Sequence, residues 1–177
     1  MDRKKIETQI AALPICAYAF FPVSDIPFKE EVRYICRTEC PRYGKSWSCP
    51  PATGSLEECR KRCGAYAGGF LFTTMAEAGD LEDFEGMLAT RREHEEVARA
   101  VRDIFREECS RVLVLSTESC AVCKNCTYPE QPCRYPDKMF ESLEGYGILV
   151  TELAERLKIP FLDENHLITW FSLVLYR

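Results

Sequence analysis

The chain has 177 residues, 46% of them hydrophobic and 29% charged. That is long enough to bury a core without cross-links, and it excludes collagen-like, coiled-coil and wholly disordered classes. The formal net charge of −5 argues against a duplex nucleic-acid binder, which neutralises phosphates with clustered Lys and Arg, so no nucleic-acid partner is expected. No apolar run reaches the length of a spanning helix, and the expectation is a soluble, cytoplasmic chain with no membrane partner. The excess lies in 11 cysteines, an odd number that cannot pair off within one chain. In a reducing compartment, clustered cysteines are more often metal ligands or redox groups than bridges.

At the N-terminus, Arg3, Lys4 and Lys5 precede an apolar run over 10–23 that holds Ala17-Tyr18-Ala19. Glu7 and Pro14 interrupt it, so it reads as an ordinary buried strand over 15–21 rather than a secretion signal. Cys36, Cys40, Cys49, Cys59 and Cys63 follow in a stretch rich in turn chemistry, with Cys40-Pro41, Tyr43-Gly44, Cys49-Pro50-Pro51 and Thr53-Gly54. This predicts an irregular ligand-holding loop. Ser55-Leu56-Glu57-Glu58 then has capping-box spacing and opens a short helix with Cys59 and Cys63 on one face. A strand is predicted over 65–74, and a long amphipathic helix over 81–108, capped by Asp80, with Leu81, Phe84, Leu88, Val97, Val101, Ile104 and Phe105 on its apolar stripe. On its polar side His94, Glu93, Glu95 and Glu96 read as solvated.

The β-branched segment 111–117 predicts a strand that delivers the chain into Cys120, so that Cys120, Cys123, Cys126 and Cys133 sit on the loop at its end. Phe140, Leu143, Gly147, Val150, Leu153, Ala154 and Leu157 recur at helical spacing, ended by Ile159-Pro160, with Gly145 and Gly147 inside that helix as close-packing positions. A strand over 167–176 closes the chain. The expected architecture is a single α+β (or α/β) domain over 1–177, a small mixed sheet packed by helices, with cysteine blocks at 36–63 and 120–133.

Cysteine at every third position, as in Cys120-x2-Cys123-x2-Cys126, brings three thiolates to three corners of a cubane cluster while Cys133 closes the fourth. The fourth comes after six residues instead of the three of a bacterial ferredoxin, and Pro136 follows at a distance. A structural zinc needs four sulfurs around one ion and usually takes them from two separated CxxC pairs, so a [4Fe-4S] cluster is preferred and zinc is the alternative. In the first block, Cys36-x3-Cys40-x8-Cys49 excludes the radical-SAM spacing, and Cys59 offers a fourth thiolate at a helix N-terminus, with Cys63 the bystander. Tyr43 and Trp47 are expected to shield that site. His166 reads as a loop residue. With two histidines and no phosphate-binding glycine loop, hydrolytic and nucleotide chemistry have no support.

CRTECPRYGKSWSCPPATGSLEEC at 36–59, FEGMLATRREHEEV at 84–97 and CAVCKNCTYPEQPCRYPDKMFESLEGYGI at 120–148 resemble the "predicted metal-binding protein" family, also catalogued as domain of unknown function 2284. The likeness runs over nearly the whole chain. The resemblance implies a cysteine-rich anaerobe protein whose metal ligands are Cys36, Cys40, Cys49, Cys59, Cys120, Cys123, Cys126 and Cys133, with Cys16, Cys63 and Cys109 outside the pattern. Pro41 stands where a small residue is expected.

Three functions compete. The first is an iron–sulfur electron-transfer protein with one or two [4Fe-4S] clusters and a redox partner protein. The second is a cluster enzyme with one iron left open for sulfur or a small anionic substrate, since Arg37, Arg42, Lys45, Arg60, Lys61 and Arg62 make the first block basic. The third is a zinc-stabilised interaction module.

Overall fold

The computed structural model describes residues 1–77, 84–160 and 167–177. Five helices and one five-stranded sheet form among them. In chain order these are α1 (Arg3–Ile10), β1 (Ala17–Pro22), α2 (Glu30–Thr38), α3 (Leu56–Cys63), β2 (Gly68–Glu77), α4 (Phe84–Glu108), β3 (Val112–Ser116), β4 (Glu141–Ser142), α5 (Val150–Arg156) and β5 (Leu167–Tyr176). The sheet runs β1-β2-β5-β3-β4, antiparallel throughout except that β4 lies parallel to β3. The fold is α+β.

The long β2–β5 pair is the centre of the sheet, matched in register from Gly68↔Tyr176 to Glu77↔Leu167. Successive side chains of these strands leave by opposite faces, and both faces are covered. Phe70, Phe72, Val114 and Val174 pack with Ile6, Ile10, Ala98, Val101 and Phe105 of α1 and α4. Leu71, Leu115, Leu173 and Leu175 pack on the other side with Cys59 and Cys63 of α3, Leu153 and Ala154 of α5, and Leu143, Tyr146 and Ile148. Strands buried on both faces read as continuous apolar runs, which is why 167–176 and 111–117 are plain in the sequence.

α3 begins as expected: the Ser55 hydroxyl accepts from Glu58 N at 3.2 Å and the Glu58 carboxylate accepts from Ser55 N at 2.7 Å. α1 and α2 are additions to the sequence reading. α1 is capped by Asp2, which accepts from Lys5 N at 3.1 Å.

The helix expected from Phe140 to Leu157 is corrected. Only Val150–Arg156 is α-helical; Glu141–Ser142 pairs with β3, Glu144–Tyr146 forms a single 3-10 turn, and Gly147 takes a left-handed φ of 71° that ends it. The apolar spacing misled because its members serve different layers, Phe140 packing with α4 and Leu143 on the opposite face.

Two surface assignments are corrected as well. His94 is 1% exposed, its Nδ1 2.7 Å from the Thr74 hydroxyl and its Nε2 2.8 Å from the Ser172 hydroxyl. Glu95 is buried against Arg91 at 3.0 Å, with Arg99 at 3.7 Å, whereas Glu93 and Glu96 are exposed. A polar residue facing the sheet is tolerated when its hydrogen bonds are completed there. Asp80, Leu81 and His166 lie outside the described residues, as do the side chains of Phe84 and Leu88.

Candidate metal centre

β3 ends at Ser116 and the chain runs irregularly to β4 at Glu141, so the second cysteine block lies on a loop at that strand's end. Local bonds shape this loop: the Thr127 hydroxyl donates to Pro132 O at 2.8 Å, Gln131 N to Thr127 O at 3.0 Å, and Arg134 to Asn125 O at 2.9 Å. Cys120, Cys123, Cys126 and Cys133 line one cavity of about 20 Å³. Trp47 lines it too; its indole donates to Gln131 O at 3.0 Å and its ring meets Tyr128 edge-on at 4.8 Å. Trp47 therefore covers the second block rather than the first. Burial pushes the Cys120 thiol up to about 12.

The first block is organised by α2. Arg33 on that helix donates to Gly145 O, and to Gly54 O at 2.8 Å, tying α2 to the turn after Cys49 and to the 3-10 turn after β4. One turn further along, Cys36 faces a cavity of about 150 Å³ lined also by Cys40, Cys49, Tyr43, Ser142 and Glu144. The Cys36 thiol donates to Glu144 O at 3.8 Å, and burial, then the nearby Glu144, Cys40 and Cys49, lift it to about 11. Cys49 is raised by burial and restrained by the Ser48 and Ser142 hydroxyls at 3.6 and 3.9 Å from its sulfur. Burial also lifts the Glu144 carboxyl to about 7, and it accepts from Glu118 N at 3.1 Å.

Cys59 stands elsewhere. It is fully buried with Cys63 in the core beneath α3, its thiol donating to Thr53 O at 3.3 Å, with the Arg62 guanidinium 3.3 Å from its sulfur. It does not line the cavity of Cys36, Cys40 and Cys49. Of the basic residues in this block, Arg42 reaches the metal-site region, whereas Arg60 lines a separate surface hollow near Lys29 and Arg156, and Arg62 pairs with Glu141 at 3.1 Å.

The two blocks meet. The Ser48 hydroxyl, buried beside Cys49, accepts from Cys120 N at 2.9 Å. Cys40 lines the first cavity and also a wider cleft of about 560 Å³ whose other wall holds Cys120 and Cys123. Ser48 and Glu144 are the residues that sequence reasoning missed: Ser48 adjoins a cysteine already singled out, while Glu144 was hidden inside a helix that does not form.

Seven thiols in two sets are a donor chemistry that suits thiophilic metals or iron–sulfur clusters. As placed, no three His, Cys, Asp or Glu side chains among the described residues are grouped to hold a single ion. Thiolates around one tetrahedral zinc stand about 3.8 Å apart, and a cubane spreads its four over wider corners.

The chain belongs to the "predicted metal-binding protein" family, the domain of unknown function 2284, whose model matches residues 19–176. No curated protein and no solved structure matches it. No described helix is long and apolar enough to cross a membrane.

Proposed function

We propose that this metal-binding chain holds two iron–sulfur clusters: a closed centre on Cys120, Cys123, Cys126 and Cys133, and a three-thiolate centre on Cys36, Cys40 and Cys49. The observation that carries the reading is the division of the thiols into one cavity with four and another with three, Cys59 lying apart in the core. A four-thiolate centre suits electron transfer; a three-thiolate one leaves a corner for an external ligand. The Ser48 hydroxyl, between Cys49 and the Cys120 amide, supports close communication between the two. Hydrogen bonds to ligand sulfurs tune such centres, and here Ser48 and Ser142 supply them to Cys49. The function that follows is redox chemistry on a small molecule, with electrons supplied through the closed centre by a partner protein.

Proton release accompanies filling of the first cavity. Burial raises the Cys36 and Cys49 thiols, and since a metal group is bound by thiolates its uptake releases protons. A single zinc at the second block is the other reading, favoured by a free volume of about 20 Å³, the room of about one water molecule. Anaerobic purification followed by iron, acid-labile sulfide and zinc analysis per chain decides. About eight irons with matching sulfide is the expected result for two cubanes, and stoichiometric zinc without sulfide overturns it.

A further inference from the structure

The cleft between the cysteine blocks is lined by four cationic side chains, Arg42, Arg91, Arg92 and Lys124, against one carboxylate, Glu118. In a chain of net charge −5 this is a local reversal of sign. Arg91 is among the residues that line it and is 2% exposed. Two of its nitrogens are engaged, with Ser119 O and with Glu95 at 3.0 Å, but its Nε is buried without any hydrogen-bond partner. A buried guanidinium donor left unpaired costs free energy, and an oxyanion is the partner whose geometry suits it. The rest of the cleft is not purely polar. Trp170 also lines it, its indole donating a hydrogen bond to the Thr90 hydroxyl at 3.1 Å. The volume of about 560 Å³ falls in the range of small-molecule sites, far larger than a bare inorganic anion needs.

We propose that this cleft binds a small organic anion, its carboxylate or phosphate head drawn to Arg91 and its apolar body laid against Trp170. Arg42, Arg92 and Lys124 at the rim attract it and outnumber Glu118, the one carboxylate of the lining, which opposes it. Because Cys40 edges both this cleft and the first cavity, the bound anion lies next to the first cysteine set. The inference rests on the open-centre reading for its chemistry, though not for the binding itself.

The test is calorimetric titration of anaerobically prepared protein, both as isolated and after metal removal by chelator, with benzoate and with phenyl phosphate. Benzyl alcohol serves as the uncharged control. Saturable binding of at least one anion is expected, with the alcohol weaker by about tenfold or more. Which anion binds better identifies the head group. Arg91→Lys keeps the charge facing Glu95 and loses the Nε donor, and binding should weaken about tenfold. Should that variant fail to fold, Arg42→Gln combined with Lys124→Gln alters two exposed side chains and should weaken binding about threefold while steepening no other property of the fold. Equal binding of benzyl alcohol, unchanged affinity in the variants, or no saturation up to about 10 mM overturns the proposal. Anion binding by protein that, as isolated anaerobically, carries no iron or sulfide overturns the two-cluster reading and keeps this one; full iron and sulfide with no anion binding does the reverse.

Discussion

At the scale of single residues, burial decides chemistry more than residue type does. His94 sits in a helix segment whose sequence, RREHEE, reads as solvated, yet it is packed between Thr74 and Ser172 and its imidazole is lowered from 6.5 to about 4 by burial. Between those two values the unfolded chain binds the extra proton and the folded chain does not. Stability must therefore fall as pH drops from about 6.5 toward 4, by roughly 2–3 kcal/mol at most for this group. Urea unfolding at pH 7 and pH 4.5 should show that loss in the wild type and a smaller one in His94→Gln. Equal losses in both would mean that other groups account for the acid sensitivity. Periodicity signalled the helix around His94 but not the direction of this side chain, because the polar partners waiting on β2 and β5 are remote in sequence.

At the scale of elements, legibility followed how local the determining interactions are. The Ser55–Glu58 box announces α3 because both halves of the motif lie within four residues. β5 and β3 were plain because strands covered on both faces are continuously apolar. The segment after Cys133 is deceptive for the opposite reason: its apolar residues answer to the two opposite faces of the sheet, and only the left-handed Gly147 marks the break. α2 went unseen although Arg33, its anchor, was present, since the carbonyls it grips at Gly54 and Gly145 are far along the chain. The cysteine assignments divide along the same line. Spacing grouped Cys36, Cys40 and Cys49 and grouped Cys120, Cys123, Cys126 and Cys133, but the side on which α3 turns Cys59 depends on tertiary packing. If Cys59 is a core residue, Cys59→Ala should leave metal content unchanged and cost about 1–2 kcal/mol of stability, whereas Cys36→Ala should empty the first site. Metal analysis beside urea unfolding measures both. Equal metal loss in the two variants would make Cys59 the fourth thiolate of the first site.

At the scale of the whole molecule, the core and the cysteine sites are physically separable. The β2–β5 pair is buried on one face by α1 and α4 and on the other by α3, α5 and the 3-10 turn, and of the seven proposed ligands only Cys49 is a buried residue. Cys40 and Cys126 are exposed, and the second block hangs on the irregular stretch between β3 and β4. In a zinc finger the metal supplies the folding free energy because little else is buried; here two apolar clusters are complete without it. Metal should accordingly stabilise the loops by mass action while the sheet stands without it. Chelator-treated protein should keep its far-UV circular dichroism and a cooperative thermal transition. Its amides in 36–49 and 117–140 should exchange with deuterium much faster than in the loaded protein, and those of β2 and β5 should stay protected. Loss of protection in β2 and β5 on metal removal would show instead that the thiolate sites and the sheet fold as one unit, and that the bond between Ser48 and the Cys120 amide is part of a single cooperative core.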